Sequence, residues 1–143
     1  MTARKLQLPK IPDNIVKEIY NSARNKKNLV KKGEAYEWVS ACEMVQQWCK
    51  ENICTDMYWG IQIISNNLPL HKDIDTEIKL NYIIDRAGDS VITKFYDDNM
   101  NLIQAVEFEE NQWYILDVSK YHEVVGVNQD KSRISVTGKI FPI

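Results

Sequence analysis

From Met57 onward the chain breaks into short runs of β-branched and aromatic residues, and that rhythm restricts its architecture more than any other feature. Eight runs can be marked: Trp59–Ile64, Leu68–Asp73, Glu77–Asp85, Ser90–Tyr96, Leu102–Phe108, Trp113–Val118, His122–Val127 and Arg133–Ile140. Polar clusters separate them, among them Ser65-Asn66-Asn67, Arg86-Ala87-Gly88-Asp89, Asp97-Asp98-Asn99, Glu109-Glu110-Asn111 and Asn128-Gln129-Asp130. Regular short strands with such punctuation predict a β-sandwich or barrel. Eight of them in a chain of 143 residues fit a double-sheet jelly roll.

The N-terminal third has a different period. After Pro12-Asp13, a helix-start pair, Ile15, Val16, Ile19, Tyr20 and Ala23 recur at helical spacing. Asn25 to Gly33 is a polar, lysine-rich break. Trp38, Cys42, Val45, Cys49 and Ile53 then form a stripe that predicts a second helix from about Glu34 to Asn52. The expected organisation is one domain over residues 1–143, mainly β with N-terminal helices. About 1–56 would be a helical support covering one sheet, and about 57–143 an eight-stranded, cupin-like jelly-roll core.

Composition narrows the class further. Apolar residues make up 44% and charged residues 27%, ordinary values for a globular protein. No apolar run approaches the roughly 18 residues of a membrane span. Met1-Thr2-Ala3-Arg4-Lys5 leads into no hydrophobic signal core, so a cytoplasmic location is expected. Cys42, Cys49 and Cys54 contain no Cys-x-x-Cys pair, which argues against a zinc knuckle and for reduced, mostly buried thiols. Residues 1–32 carry nine basic side chains and two acidic ones, a balance of +7. The whole chain is −2, so the remainder carries −9. Such an arm can dock an anionic partner, including nucleic acid. The run lacks interleaved aromatics, so a solvated helix face and loop is the preferred reading.

The chain has only two histidines. One opens His71-Lys72-Asp73. The other is His122, followed eleven residues later by Arg133-Ile134-Ser135. In a strand, residues two apart share a face at about 7 Å, so His71 and Asp73 can turn toward one ion. His122 opens the seventh run and can meet them from another strand. Two imidazoles and a carboxylate on one face of a metal leave open positions, the ligation typical of non-haem Fe(II) oxygenases. Arg133 offers a planar fork for a carboxylate, and Ser135 shares its strand face. Asn81, in the third run, is a further polar candidate for that pocket. Asp75 is a second carboxylate near the first histidine, although spacing favours Asp73.

These residues resemble the signature of small Fe(II)- and 2-oxoglutarate-dependent dioxygenases of the double-stranded β-helix type. That signature is His-x-Asp/Glu, a distal His, and Arg-x-Ser about ten residues beyond it. The flanks are similar too: Leu68-Pro69-Leu70 before His71, Leu80-Asn81-Tyr82-Ile83-Ile84, Trp113-Tyr114-Ile115-Leu116-Asp117, and Tyr121-His122-Glu123-Val124. The short interval between the histidines resembles compact prolyl-hydroxylase-like and aspartyl/asparaginyl-hydroxylase-like members of bacterial or phage type. The resemblance covers roughly residues 57–140. It implies Fe(II) held by His71, Asp73 and His122, and 2-oxoglutarate pinned by Arg133 with help from Ser135. It also implies hydroxylation of a C–H bond with dioxygen, yielding succinate and carbon dioxide.

The primary substrate is not written in the sequence. A peptide or protein side chain is the first reading; a free small molecule or a nucleobase is the second. A non-catalytic metal-binding jelly-roll module belongs to another class. Arg133 and Ser135 argue against a cupin that needs no 2-oxoglutarate. Trp59, Lys72, Tyr96 and Tyr114 are the rim residues considered for substrate contact.

Overall fold

A computed structural model describes residues 2–74, 76–128 and 130–140. The eight expected strands are all present: β4 (Tyr58–Ile64), β5 (Leu68–His71), β6 (Ile78–Asp85), β7 (Ile92–Tyr96), β8 (Leu102–Val106), β9 (Trp113–Asp117), β10 (Tyr121–Val125) and β11 (Arg133–Lys139). They divide four and four. The larger sheet contains β9-β6-β11-β4, and the smaller sheet is β5-β10-β7-β8. All the strand pairings are antiparallel, and the two sheets face each other as a double-stranded β-helix.

Alternation along the strands explains the layers. Trp59, Ile61 and Ile63 of β4, Tyr82 and Ile84 of β6, Trp113 of β9 and Val136 of β11 point to one side of the larger sheet. There they meet Ile15, Ile19 and Ala23 of helix α1 (Asp13–Asn25) and Val45 and Cys49 of α2 (Glu43–Asn52). The helices therefore cover the outer face of this sheet. Burying each large side chain in this layer contributes roughly 1.5–3 kcal/mol. Trp59 and Trp113 meet edge to face at 5.7 Å, and their indole N–H groups donate to the carbonyls of Cys54 and Pro9. The cysteines are free; burial pushes the Cys49 thiol up to about 12, which keeps it an unreactive core residue.

The residues between, such as Gln62, Asn81, Arg133 and Ser135, face the space between the sheets. That space is not one apolar core. Phe95, Phe108, Tyr114, Leu116 and Val118 fill one part, and Ile64, Leu68, Val91, Val124 and Val127 another. A polar cavity lies between the two clusters.

The N-terminal third departs from expectation. Residues predicted as the start of the second helix form a hairpin of β2 (Leu29–Lys32) and β3 (Tyr36–Ser40), closed by a bond from the Gly33 N–H to the Tyr36 carbonyl. Trp38 satisfies the helical stripe by spacing alone. In the fold it pairs across from Gln62, and α2 begins only at Glu43. The helical support is thus part strand: β1 (Ala3–Leu6), β2 and β3 widen the larger sheet to β1-β9-β6-β11-β4-β3-β2. The basic residues expected as one arm are divided among β1, α1, β2 and adjoining loops. No helix among the described residues is long and apolar enough to cross a membrane.

One side chain joins the two sheets at the β1 and β8 edges. The Gln104 carbonyl oxygen accepts from the Thr2 N–H at 3.0 Å, the Ala3 N–H at 2.7 Å and the Thr2 hydroxyl at 2.6 Å. Its amide N–H donates to the Ala3 carbonyl at 2.9 Å. Thr2 and Ala3 are both buried. Gln104→Ala leaves these backbone groups unpaired, at a cost of about 1–3 kcal/mol. The expected result is a thermal midpoint lower by roughly 4–12 °C, read by circular dichroism. An unchanged midpoint would show that water replaces the clamp at no cost.

Candidate metal centre and anion pocket

His71 is the last residue of β5, and His122 the second of β10. The register sets them directly opposite each other, with ring centroids 4.3 Å apart. Asp73 lies just beyond β5 rather than on it, so its direction is not set by strand alternation. Its backbone N–H instead donates to the Val118 carbonyl at 3.0 Å, which pins the turn beside the end of β9. The carboxylate oxygen Oδ1 then sits 3.4 Å from His71 Nε2 and 3.3 Å from His122 Nε2. One ligand-capable atom from each of the three residues falls within 4.8 Å of the others.

Both rings are held in the same way. His71 Nδ1 is 2.7 Å from the Pro69 carbonyl, and His122 Nδ1 is 2.7 Å from the Lys120 carbonyl. A carbonyl only accepts, so each Nδ1 carries a proton that it donates. Each Nε2 is thereby aimed at the Asp73 carboxylate. Metal-binding histidines are oriented by such contacts at the other nitrogen. Burial pushes the Asp73 carboxyl upward, but hydrogen bonding to His122 and His71 and the charge of Lys79 outweigh it. The carboxyl is held well below the usual range and is ionised.

Arg133 opens β11 and is 3% exposed. Its Nη1 donates to the Thr93 hydroxyl at 3.3 Å, and its guanidinium lies over the Phe108 ring at 5.7 Å. Among the described residues, Nε and Nη2 are buried without a hydrogen-bond partner. Burial, with Arg86 adding repulsion, lowers the Arg133 pKa to about 10, so the group stays cationic at neutral pH. Phe95 stands opposite His122, and Thr93 is two residues further along β7. The arginine fork therefore meets the sheet one step, about 7 Å, from the histidine pair. Ser135 and Asn81 line the same cavity; the Asn81 side-chain oxygen accepts from the Thr137 hydroxyl at 2.9 Å.

The structure thus gathers His71, Asp73, His122, Arg133, Ser135 and Asn81 around one cavity. Asp75 lies outside the described residues. Of the rim candidates, Trp59 is fully buried on the helix side, and Tyr114 is buried against Phe108. The Tyr96 hydroxyl donates to Glu123 at 2.7 Å. Only Lys72 lines the adjoining outer groove, a space of about 970 Å³ that opens from the His71–Asp73 corner. Thr93, Lys79 and Gln62 also face the inner cavity and had not been singled out from sequence. Their signal is faint: Lys79 shares a strand face with Asn81, and Thr93 with Phe95.

No protein-family model matches the sequence, and no curated protein matches it. Solved structures do. An oxidoreductase of the 2OG-Fe(II) oxygenase family from Burkholderia pseudomallei superimposes with a TM-score of 0.64 at 11% identity, covering 96% of this chain and 83% of that one. A Pseudomonas putida prolyl-4-hydroxylase gives 0.60 at 12% identity, covering 99% and 93%. The non-haem alpha-ketoglutarate-dependent epimerase SnoN from nogalamycin biosynthesis gives 0.59 at 10%, covering 96% and 76%. At such identities the likeness is one of fold, and fold alone does not assign chemistry.

Proposed function

We propose that this protein is an Fe(II)- and 2-oxoglutarate-dependent dioxygenase that hydroxylates a C–H bond in a peptide or protein side chain. One conjunction carries the reading. A two-imidazole, one-carboxylate corner shares its cavity with a buried arginine that has two unpartnered nitrogens. The donor set suits Fe(II) with open positions. The orphaned guanidinium edge suits a carboxylate held by two charge-assisted hydrogen bonds. A cupin without the diacid would leave that buried cation unexplained.

In this reading His71, Asp73 and His122 hold the metal. Arg133 takes the far carboxylate of 2-oxoglutarate, Ser135 assists it, and Asn81 forms part of the polar wall. When bound, iron and cosubstrate supply the oxidising power that puts one dioxygen atom into a substrate C–H bond and the other into succinate, with loss of carbon dioxide. The chain contributes orientation and exclusion of water. The Pro69 and Lys120 carbonyls fix the rings, and Phe95, Phe108, Leu116 and Val124 wall off the cavity. The open groove of about 970 Å³ beside the corner favours a peptide over a small metabolite.

The test is spectroscopic. Anaerobic addition of Fe(II) and 2-oxoglutarate should produce the weak visible band of the chelate. Admitting oxygen should bleach it with release of succinate. A protein that binds neither component, or that binds Fe(II) but forms no band at any 2-oxoglutarate concentration, is not this enzyme.

A further inference from the structure

We infer that Thr93 is a positioning residue: it ties one nitrogen of the Arg133 guanidinium and so turns the other edge of the fork into the cavity, ready for a carboxylate. That the carboxylate belongs to 2-oxoglutarate rests on the oxygenase reading; the tether does not. The two residues come from different sheets. Arg133 opens β11 of the larger sheet, and Thr93 is the second residue of β7 in the smaller one. Both are buried and both line the inner cavity. In the ladder Thr93 stands between Val124 of β10 and Val106 of β8, so its backbone is held on both sides. Its branched side chain has few rotamers. The hydroxyl is therefore a fixed point in the cavity wall.

Which nitrogen is tied decides what remains. In a guanidinium Nη1 lies on the Cδ side, whereas Nε–H and one Nη2–H point the same way and form a single edge. Nη1 is the nitrogen that donates to the Thr93 hydroxyl, at 3.3 Å. Nε and Nη2 are the two without a partner among the described residues. The unpartnered atoms are thus one complete bidentate edge rather than two scattered donors, and that edge matches a carboxylate. The buried Phe108 ring lies 5.7 Å from the guanidinium carbon. It restrains the plane of the fork, and Thr93 restrains rotation within that plane. Ser135 has a different part. It lines the same cavity, but among the described residues no hydrogen bond joins it to Arg133. A hydroxyl suits the tether because it carries no charge. An acid at position 93 would give the arginine a permanent counter-ion that competes with an incoming carboxylate. Thr93 orients the cation without neutralising it.

The test begins with the ligand-free protein and needs no metal. Nitrogen-15 NMR of the arginine side chains should show one residue, missing from Arg133→Met, whose Nη1 and Nη2 signals are resolved because its fork does not rotate. Thr93→Val should merge those signals, and Thr93→Ser should keep them apart. Glutarate, a diacid without the 2-oxo group, then probes the fork without metal, followed at the Arg133 Nε–H signal. Thr93→Val should bind it about tenfold more weakly, and Thr93→Ser within about threefold of the parent. Circular dichroism checks folding, and Thr93→Ala replaces the valine variant if that one does not fold. Merged signals in the parent, or resolved signals in Thr93→Val, overturn the tether. Equal glutarate affinity in Thr93→Val, or a parent that ignores glutarate, overturns the positioning role. If glutarate behaves as expected but Fe(II) and 2-oxoglutarate give no chelate band, the oxygenase reading alone fails. If the band forms with the same 2-oxoglutarate affinity in the parent and in Thr93→Val, the positioning inference alone fails.

Discussion

His122→Ala is expected to lower Fe(II)-dependent succinate release by on the order of a thousandfold, about 4 kcal/mol. In the proposed metal site the residue supplies one of three donors, and the chain's only other histidine, His71, is already one of them. Its ring is already fixed by the Lys120 carbonyl and packed beside Phe95 at 5.7 Å. The protein therefore spends no binding energy turning the ring toward the metal, and all of that preparation is lost with the side chain. The strand should survive, because β10 pairs on both sides through its backbone, with β5 and β7. Anaerobic equilibrium dialysis should show Fe(II) affinity collapsing while circular dichroism stays near that of the parent. Retained Fe(II) affinity in a folded variant would remove His122 from the metal site.

The strands were legible because their signals are local. The run at 133–140 becomes β11 over 133–139, and that at 77–85 becomes β6 over 78–85. Alternation and turn residues set those limits without reference to distant parts of the chain. β1 and β2 were invisible for the opposite reason. Arg4, Lys5, Lys31 and Lys32 are suited to sheet edges, and an edge strand is defined by the partner it finds. Trp38 misled because one aromatic at the right interval extends a helical stripe as well as it fills a strand, until β4 supplies the pairing. The same division runs through the site. His71, Asp73, His122 and Arg133 are rare or distinctive residues at telling intervals. Thr93 and Gln62 matter only through cross-strand register, and the Pro69 and Lys120 carbonyls could not be read at all, since almost any residue offers one.

Arg133→Met should change stability in opposite directions with and without ligand. In the free protein the guanidinium is buried; among the described residues two of its nitrogens are unpaired, and Thr93 and Phe108 are its contacts. A buried charge without a counter-ion costs several kcal/mol, and replacing such groups with apolar side chains of similar size often stabilises by about 1–4 kcal/mol. The ligand-free variant is therefore expected to melt several degrees above the parent, roughly 3–10 °C. Adding 2-oxoglutarate with a redox-inert divalent metal should reverse the order. The parent gains about 2.7 kcal/mol when the ligand stands at a hundred times its dissociation constant. The variant, lacking the fork, should bind 2-oxoglutarate more weakly by about 2–5 kcal/mol and gain almost nothing at the same concentration. Thermal melts of both proteins across a 2-oxoglutarate titration would display the crossing. A purely structural arginine predicts something else: the methionine variant would melt lower at every ligand concentration, and the parent would not respond to the diacid. That pattern would assign the two orphaned nitrogens to packing and leave the metal corner without its anchor.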